Sequence, residues 1–168
     1  MPISEHFKHL RSKIGNTLLQ IPGVAAVIHD ETGKVLLQQR TEDNSWSLSA
    51  GAIEPGETPA QALIREVWEE TSLKVKPLKI LGVFSGENGF RYTYPNGDRV
   101  EYLVVLFQCR VIEGEMQGRD GETANLQYFA PDNMPELAMA YPHSLFDPQQ
   151  AINTYFEWDD KWLKSLVC

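Results

Sequence analysis

One stretch, residues 51–73, constrains this chain more than any other, reading Gly-Ala-Ile-Glu-Pro-Gly-Glu-Thr-Pro-Ala-Gln-Ala-Leu-Ile-Arg-Glu-Val-Trp-Glu-Glu-Thr-Ser-Leu. Thr58 followed by Pro59 and Gln61 supplies an N-cap, a proline at the first helical position and the glutamine of a capping box. The pattern predicts a helix over 59–71. At about 100° per residue, Glu66, Glu69 and Glu70 fall within an arc of about 100°, while Ala60, Leu63, Ile64, Val67 and Thr71 gather on the opposite side, which should pack. Like charges three and four residues apart repel, by roughly 0.2–0.5 kcal/mol per pair. Either this acidic face is solvated, or a divalent cation compensates it, because hard cations are held by carboxylate oxygens together with substrate phosphates.

The surrounding residues favour the cation. Gly51, Glu57, Arg65-Glu66-Val67 and Glu69-Glu70 resemble the signature of the Nudix hydrolases: Gly, five residues, Glu, seven residues, Arg-Glu, an aliphatic, any residue, Glu-Glu, any residue, Gly, an aliphatic. Ser72 stands where the family has its last glycine, and Ala50 where a glycine often precedes the first. The resemblance implies an α/β fold, an α/β/α sandwich with a mixed β-sheet between helices. It implies a pyrophosphohydrolase, dependent on Mg²⁺ or Mn²⁺, that splits the diphosphate linkage of a small nucleotide-type substrate.

By the same resemblance Glu66, Glu69 and Glu70 hold the metal together with the carbonyl of Ala50, and Glu66 and Glu69 take part in catalysis. Glu57 and Arg65 form an ion pair that, with Gly51, orients the loop against the helix. Some members recruit an acid from a loop near the last strand; Glu122 is placed for that, with a solvated loop glutamate as the alternative. Members that cleave ADP-ribose often carry a proline shortly after the signature, where this chain reads Glu87-Asn88-Gly89-Phe90. Nucleotide binding without turnover, or an interaction module with a solvated helix, are the competing functions.

The rest of the chain sets bounds. At 168 residues, with 42% hydrophobic and 23% charged, it suits one globular domain with a sizeable core. A net charge of −8 argues against a long nucleic acid held on a broad basic surface, though not against nucleotides. No apolar run approaches the ~20 residues of a membrane span and no signal-peptide core precedes the domain, so a cytoplasmic protein away from membranes is expected. Cys109 and Cys168 have neither metal-ligand spacing nor a disulfide framework. A homodimer is compatible with the sequence and not specified by it.

In chain order, residues 4–14 read as an amphipathic helix with Phe7, Leu10, Arg11 and Ile14 on one side; His6 and His9 lack a third ligand and read as surface residues. Residues 23–29 and 35–39 read as two strands of a hairpin around a turn at 30–34. A short strand over 46–48 carries Trp46, which either packs in the core or lines the pocket. A strand over 75–85 follows the helix, and 90–94 runs into Pro95-Asn96-Gly97-Asp98, the strongest hairpin turn, from which 100–112 returns. Phe90, Tyr92 and Tyr94 are candidates for stacking on a nucleobase, with hairpin packing as the alternative. Residues 114–122 form a loop, 125–130 a last strand, and Pro131-Asp132 opens a small helix. An aromatic-rich helix over 151–166 should close the chain.

Overall fold

The computed structural model describes residues 4–118, 121–149, 153–159 and 161–164. Its longest strand, β7 (Arg99–Glu113), pairs along both edges. On one side it runs parallel to β1 (Leu19–Ile28); on the other it runs antiparallel to β5 (Lys74–Phe84) and, near its start, to β6 (Arg91–Thr93). β4 (Ser49–Ala52) joins the free side of β1, giving a mixed sheet ordered β4-β1-β7-β5. β2 (Val35–Arg40), β3 (Trp46–Ser47) and β8 (Thr123–Phe129) form a separate antiparallel sheet ordered β3-β2-β8.

Alternation along β1 decides where the core sits. Val24, Ala26 and Ile28 meet Phe107, Cys109 and the Ala62, Leu63 and Val67 side chains of α2 (Pro59–Thr71). Ala25 and Val27 point the other way, toward Val35, Leu37, Leu106 and Phe146. Each fully buried Val, Leu, Ile or Phe among them contributes about 1.5–3 kcal/mol, so α2 is pinned to one face of the mixed sheet. The turns at Glu87–Phe90 (α3) and His143–Phe146 bring Phe90, Leu145 and Phe146 to the other face. Among the described residues no helix is long and apolar enough to cross a membrane.

Two expectations fail here. The turn at 30–34 forms, with Asp30 N donating to Lys34 O at 2.9 Å, yet its flanking strands do not zip into a hairpin. Beyond the His29–Val35 bridge they enter different sheets, because β1 finds a longer ladder with β7, from Leu19↔Val100 to Ile28↔Cys109. The helix over 151–166 is absent from residues 153–159. Tyr155 N donates to Leu81 O at 2.8 Å and Val83 N donates to Tyr155 O at 3.2 Å, a bridge to the edge of β5 that extended backbone makes and helix cannot. Only Lys161–Lys164 (α4) is helical; 151–152, 160 and 165–166 lie outside the described residues. Phe156, Trp158 and Trp162 stay exposed.

The N-terminal helix α1 (Glu5–Ile14) and the 95–98 turn form as read. So does α2, with Thr58 and Gln61 making both halves of the capping box and Pro59 at the first position. Its exit is unusual. Ser72 is left-handed (φ 61°, ψ 13°), a conformation in which a side chain is strained by about 1 kcal/mol. In return its Oγ donates to Gln117 O at 2.9 Å, beside a bond from Gln117 N to Thr71 O at 2.9 Å. Gly114 passes so close that a Cβ there would lie 2.3 Å from Ser72 O.

These opposed terms generate a prediction. Ser72→Gly removes both the strain and the bond, about 1 kcal/mol each, and should melt within about 2 °C of the wild type. Ser72→Ala keeps the strain and loses the bond, and should melt about 2–4 °C lower. Thermal melts of both variants decide it; an alanine variant as stable as the wild type would show that the Gln117 contact adds nothing.

Candidate active site

α2 turns its acids inward. Glu66 and Glu70 are 2% and 7% exposed, whereas Ile64 and Trp68 on the same helix are 41% and 37% exposed. The expected division into a packing face and a carboxylate face is therefore overturned for these two acids and for Ile64, and of the three glutamates only Glu69 is exposed. The cause lies in partners that a helical projection does not see: Ser49 and Ala50 of β4 for Glu70, and for Glu66 an Arg65 side chain held by Glu57 of the loop before the helix.

Arg65 organises that loop. Its Nε and Nη2 donate to Glu57 Oε1 and Oε2 at 2.7 and 2.8 Å, a two-pronged charge-assisted pair. Nη1 reaches Glu66 Oε1 at 2.7 Å and Glu69 Oε2 at 3.3 Å, and Nη2 also donates to Ala52 O at 3.1 Å. Glu57 in turn accepts from Glu54 N at 3.0 Å. One guanidinium thus ties helix, loop and β4 together.

Glu70 is held by other means. Ser49 Oγ donates to its Oε2 at 2.5 Å and Ala50 N at 3.0 Å, and the buried Gln38 side chain lies on the same cavity wall. Gln38 is itself positioned, accepting from Thr123 Oγ1 at 2.9 Å and donating to Leu48 O at 3.4 Å. Sequence reasoning missed Gln38 and Ser49. The available signal was a polar residue closing the apolar run Val35-Leu36-Leu37, where a buried amide needs a partner.

Burial sets the electrostatics. It pushes the Glu70 carboxyl up to about 8, with the neighbouring Glu66 charge adding to the rise. It pushes Glu66 up to about 7 against the pull of Arg65. The Arg65 bond holds Glu57 below its ordinary value, and the Glu57 bond in turn keeps Arg65 firmly charged.

Glu70, Ala50 and Gly51 line a cavity of about 560 Å³, within the range of small-ligand sites. Glu122, Tyr92 and Tyr94 share its wall. The Glu122 backbone carbonyl accepts from Thr41 N and Thr41 Oγ1 at 2.8 and 3.0 Å, which anchors that end of the 114–122 loop. Gly51 lies opposite Val24 in the β1–β4 ladder. For Phe90 and Trp46, read as either substrate contacts or packing residues, the structure has packing. Phe90 is 4% exposed and stacks on Phe84 at 5.5 Å; Trp46 meets Phe129 edge-on at 4.8 Å. Both pack into the aromatic core on the face away from α2, and neither lines the cavity.

Among the described residues no three acidic, histidine or cysteine side chains converge on one point, as Glu66 and Glu69 lean on Arg65. The donor set still fits a hard divalent cation. It offers oxygen donors only, and Glu66 and Glu70 are out of water and disfavoured as anions unless positive charge is supplied.

A family model for the NUDIX domain matches residues 19–150. The chain belongs to the Nudix family. It is 30% identical over 125 residues to a MutT-like protein of Streptomyces ambofaciens, covering 74% of this chain and 73% of that one. It is 34% identical over 108 residues to RNA pyrophosphohydrolases of Yersinia pestis, 57% of this chain and 61% of theirs, so it spans less than two thirds of those relatives. Among solved structures it resembles a UDP-X diphosphatase, at 27% identity and TM-score 0.61, over 80% of this chain and 63% of that one. The fold likeness extends to an ADP-ribose pyrophosphatase of Streptococcus suis, at 24% identity and TM-score 0.66, over 82% and 98%. The Nudix fold, an α/β/α sandwich, is thereby shown.

The inward acids of this Nudix helix carry a pH signature. Both are raised above the ordinary carboxyl value in the folded chain, so between about pH 5 and 8 the folded state keeps protons that the unfolded state has lost. Stability therefore falls as pH rises through that window. In EDTA the melting temperature should drop by several degrees from pH 5.5 to 8.5, and Glu70→Gln should flatten the drop. A wild-type melting temperature that is level across this range would contradict the burial argument.

Proposed function

We propose that this Nudix protein is a divalent-metal-dependent pyrophosphohydrolase that cleaves the diphosphate linkage of a small nucleotide-type substrate. The observation that carries the reading is the inward-turned Glu66 and Glu70, with Glu70 on the wall of a cavity large enough for such a molecule. The names of the relatives, RNA pyrophosphohydrolase, UDP-X diphosphatase and ADP-ribose pyrophosphatase, share one bond type, the phosphoric anhydride. Glu66, Glu69 and Glu70, with the Ala50 carbonyl, would hold the cation. When bound, Mg²⁺ or Mn²⁺ supplies charge to the phosphoryl oxygens and lowers the pKa of water.

The chain's own groups do the rest. A carboxylate takes a proton from the attacking water as its oxygen bonds to phosphorus, and the bridging oxygen leaves with the other phosphate. Glu122, on the cavity wall, is the first candidate for that base, and Glu66 the second. Arg65 and Glu57 touch no reacting atom; they hold the loop so that the acids keep their places. A net charge of −8 and the acids around the cavity favour a small molecule over a long polyanion.

Two experiments test this. Nucleoside triphosphates, ADP-ribose, UDP-glucose, dinucleoside polyphosphates and a 5′-triphosphorylated oligoribonucleotide are assayed with Mg²⁺ and Mn²⁺. Activity on at least one small substrate should vanish in EDTA and return with excess metal. Glu69→Gln should cut kcat by about 10²-fold or more while the fold survives. Hydrolysis undiminished in EDTA would defeat the metal mechanism, and turnover of the oligoribonucleotide alone would move the substrate to RNA ends. In the second experiment, Glu122→Gln should lower kcat by about 10²-fold and remove the acidic limb of the pH profile. An unchanged profile would transfer base duty to Glu66.

A further inference from the structure

The family match begins at residue 19, yet the cavity extends beyond the matched domain to residues of α1. Ser4, Phe7 and Arg11 of this N-terminal segment line it together with Tyr92, Tyr94 and Tyr102. Phe7 is 7% exposed and packs with Ile21, Ala52 and Val100, against the same tyrosines. Tyr92 meets Tyr94 edge-on at 4.9 Å, and the hydroxyls of Tyr94 and Tyr102 lie 2.7 Å apart.

This wall is laced in place. Arg11 Nη1 donates to Gly15 O and Thr17 O at 3.1 and 2.8 Å, and its Nη2 donates to Arg99 O at 2.6 Å. Its Nε lies 3.6 Å from Asp98 Oδ1, while Arg99 Nε donates to Asn16 O at 3.2 Å. Gly97, at φ +87°, lies where a Cβ would stand 2.6 Å from Asn16 Nδ2. The exit of α1 and the β6–β7 turn are therefore tied together.

We propose that α1 and the β6–β7 hairpin form the nucleobase arm of the cavity, with Phe7 and Tyr92 as specificity-determining residues. The inference rests on the pyrophosphohydrolase reading for its direction, since it assigns one end of that substrate. Aromatic faces suit a flat, uncharged ring, and every base has one to offer. A second phosphate is the wrong occupant. Glu42, Asp43 and Asp98 line the same cavity, Arg11 is engaged by carbonyls, and Arg40 faces Glu42 at 3.1 Å and Asp43 at 3.9 Å. These carboxylates can accept the N–H donors of a base edge and repel an anion.

Calorimetric titration in EDTA with adenosine, guanosine, cytidine and uridine, and with ribose 5-phosphate as a base-free probe, tests the arm without turnover. At least one nucleoside should bind about tenfold or more tighter than ribose 5-phosphate, and Tyr92→Leu and Phe7→Ala should each weaken it about tenfold. Phe7 is a core residue, so melts accompany its variant; the half-buried Tyr92 carries the test if Phe7→Ala does not fold. In turnover, both variants should raise KM for a base-bearing substrate about tenfold with kcat within about twofold, because the arm touches no reacting atom. Absence of nucleoside binding, or folded variants with wild-type affinity and KM, overturns the arm and leaves the hydrolase reading standing. Nucleoside binding that the variants weaken, in a protein that hydrolyses no substrate of the panel, defeats the hydrolase reading and leaves the arm.

Discussion

Two carboxyl groups on one turn of α2 are out of water, and much of the surrounding structure is arranged to tolerate them. An unpaired buried charge costs several kcal/mol, so Glu66 and Glu70 need either protons or partners. Glu66 takes the Arg65 guanidinium, which Glu57 fixes through its two-pronged bond. Glu70 takes a hydroxyl and a backbone amide from β4, so the mixed sheet and the helix meet at one carboxylate. A mainly apolar replacement at these positions would give a tighter core at lower cost. Two acids kept there fit the cation site proposed above, with Arg65 already meeting the charge of Glu66.

What was legible in the sequence is what local chemistry decides. The start of α2, its proline and its reciprocal cap follow from Thr58, Pro59 and Gln61 alone, and the turn at 95–98 from Asn96-Gly97. What was not legible depends on partners far along the chain. A helical projection places glutamate outside because it is charged, but β4 donates to Glu70, and Arg65, held by Glu57 of the 53–58 loop, donates to Glu66. The residues flanking the 30–34 turn look like a hairpin, and only the length of the β1–β7 ladder, whose partners lie some eighty residues away, shows why they part. The closing segment has aromatic residues at helical spacing, yet Tyr155 finds open backbone groups on the edge of β5 and stays extended.

The aromatic residues near the site divide by the same logic. Phe90, with no polar tip, stacks on Phe84, and Trp46 meets Phe129 edge-on, so both pack into the core. Tyr92, Tyr94 and Tyr102 each keep a hydroxyl that needs a partner, and they line the cavity instead, with burial raising the Tyr102 hydroxyl pKa well above its ordinary value. A stacking residue could be nominated from sequence, but the choice among neighbours needed the packing.

The departure at Ser72 shows how a signature position can change without touching the chemistry it neighbours. Glycine serves there because the helix exit is left-handed, and the exit is left-handed with serine too. The strain is met by the hydroxyl's bond to Gln117 in the loop that leads to Glu122. That loop is pinned at its near end by Thr71 and Ser72 and at its far end by Thr41. Substitution at the helix exit therefore shifts an anchoring cost from backbone freedom to a side-chain contact. Glu66 and Glu70 point into the domain on one side of α2, whereas the loop is anchored at the helix end, so the contact that holds Ser72 is separate from those that hold the two buried acids.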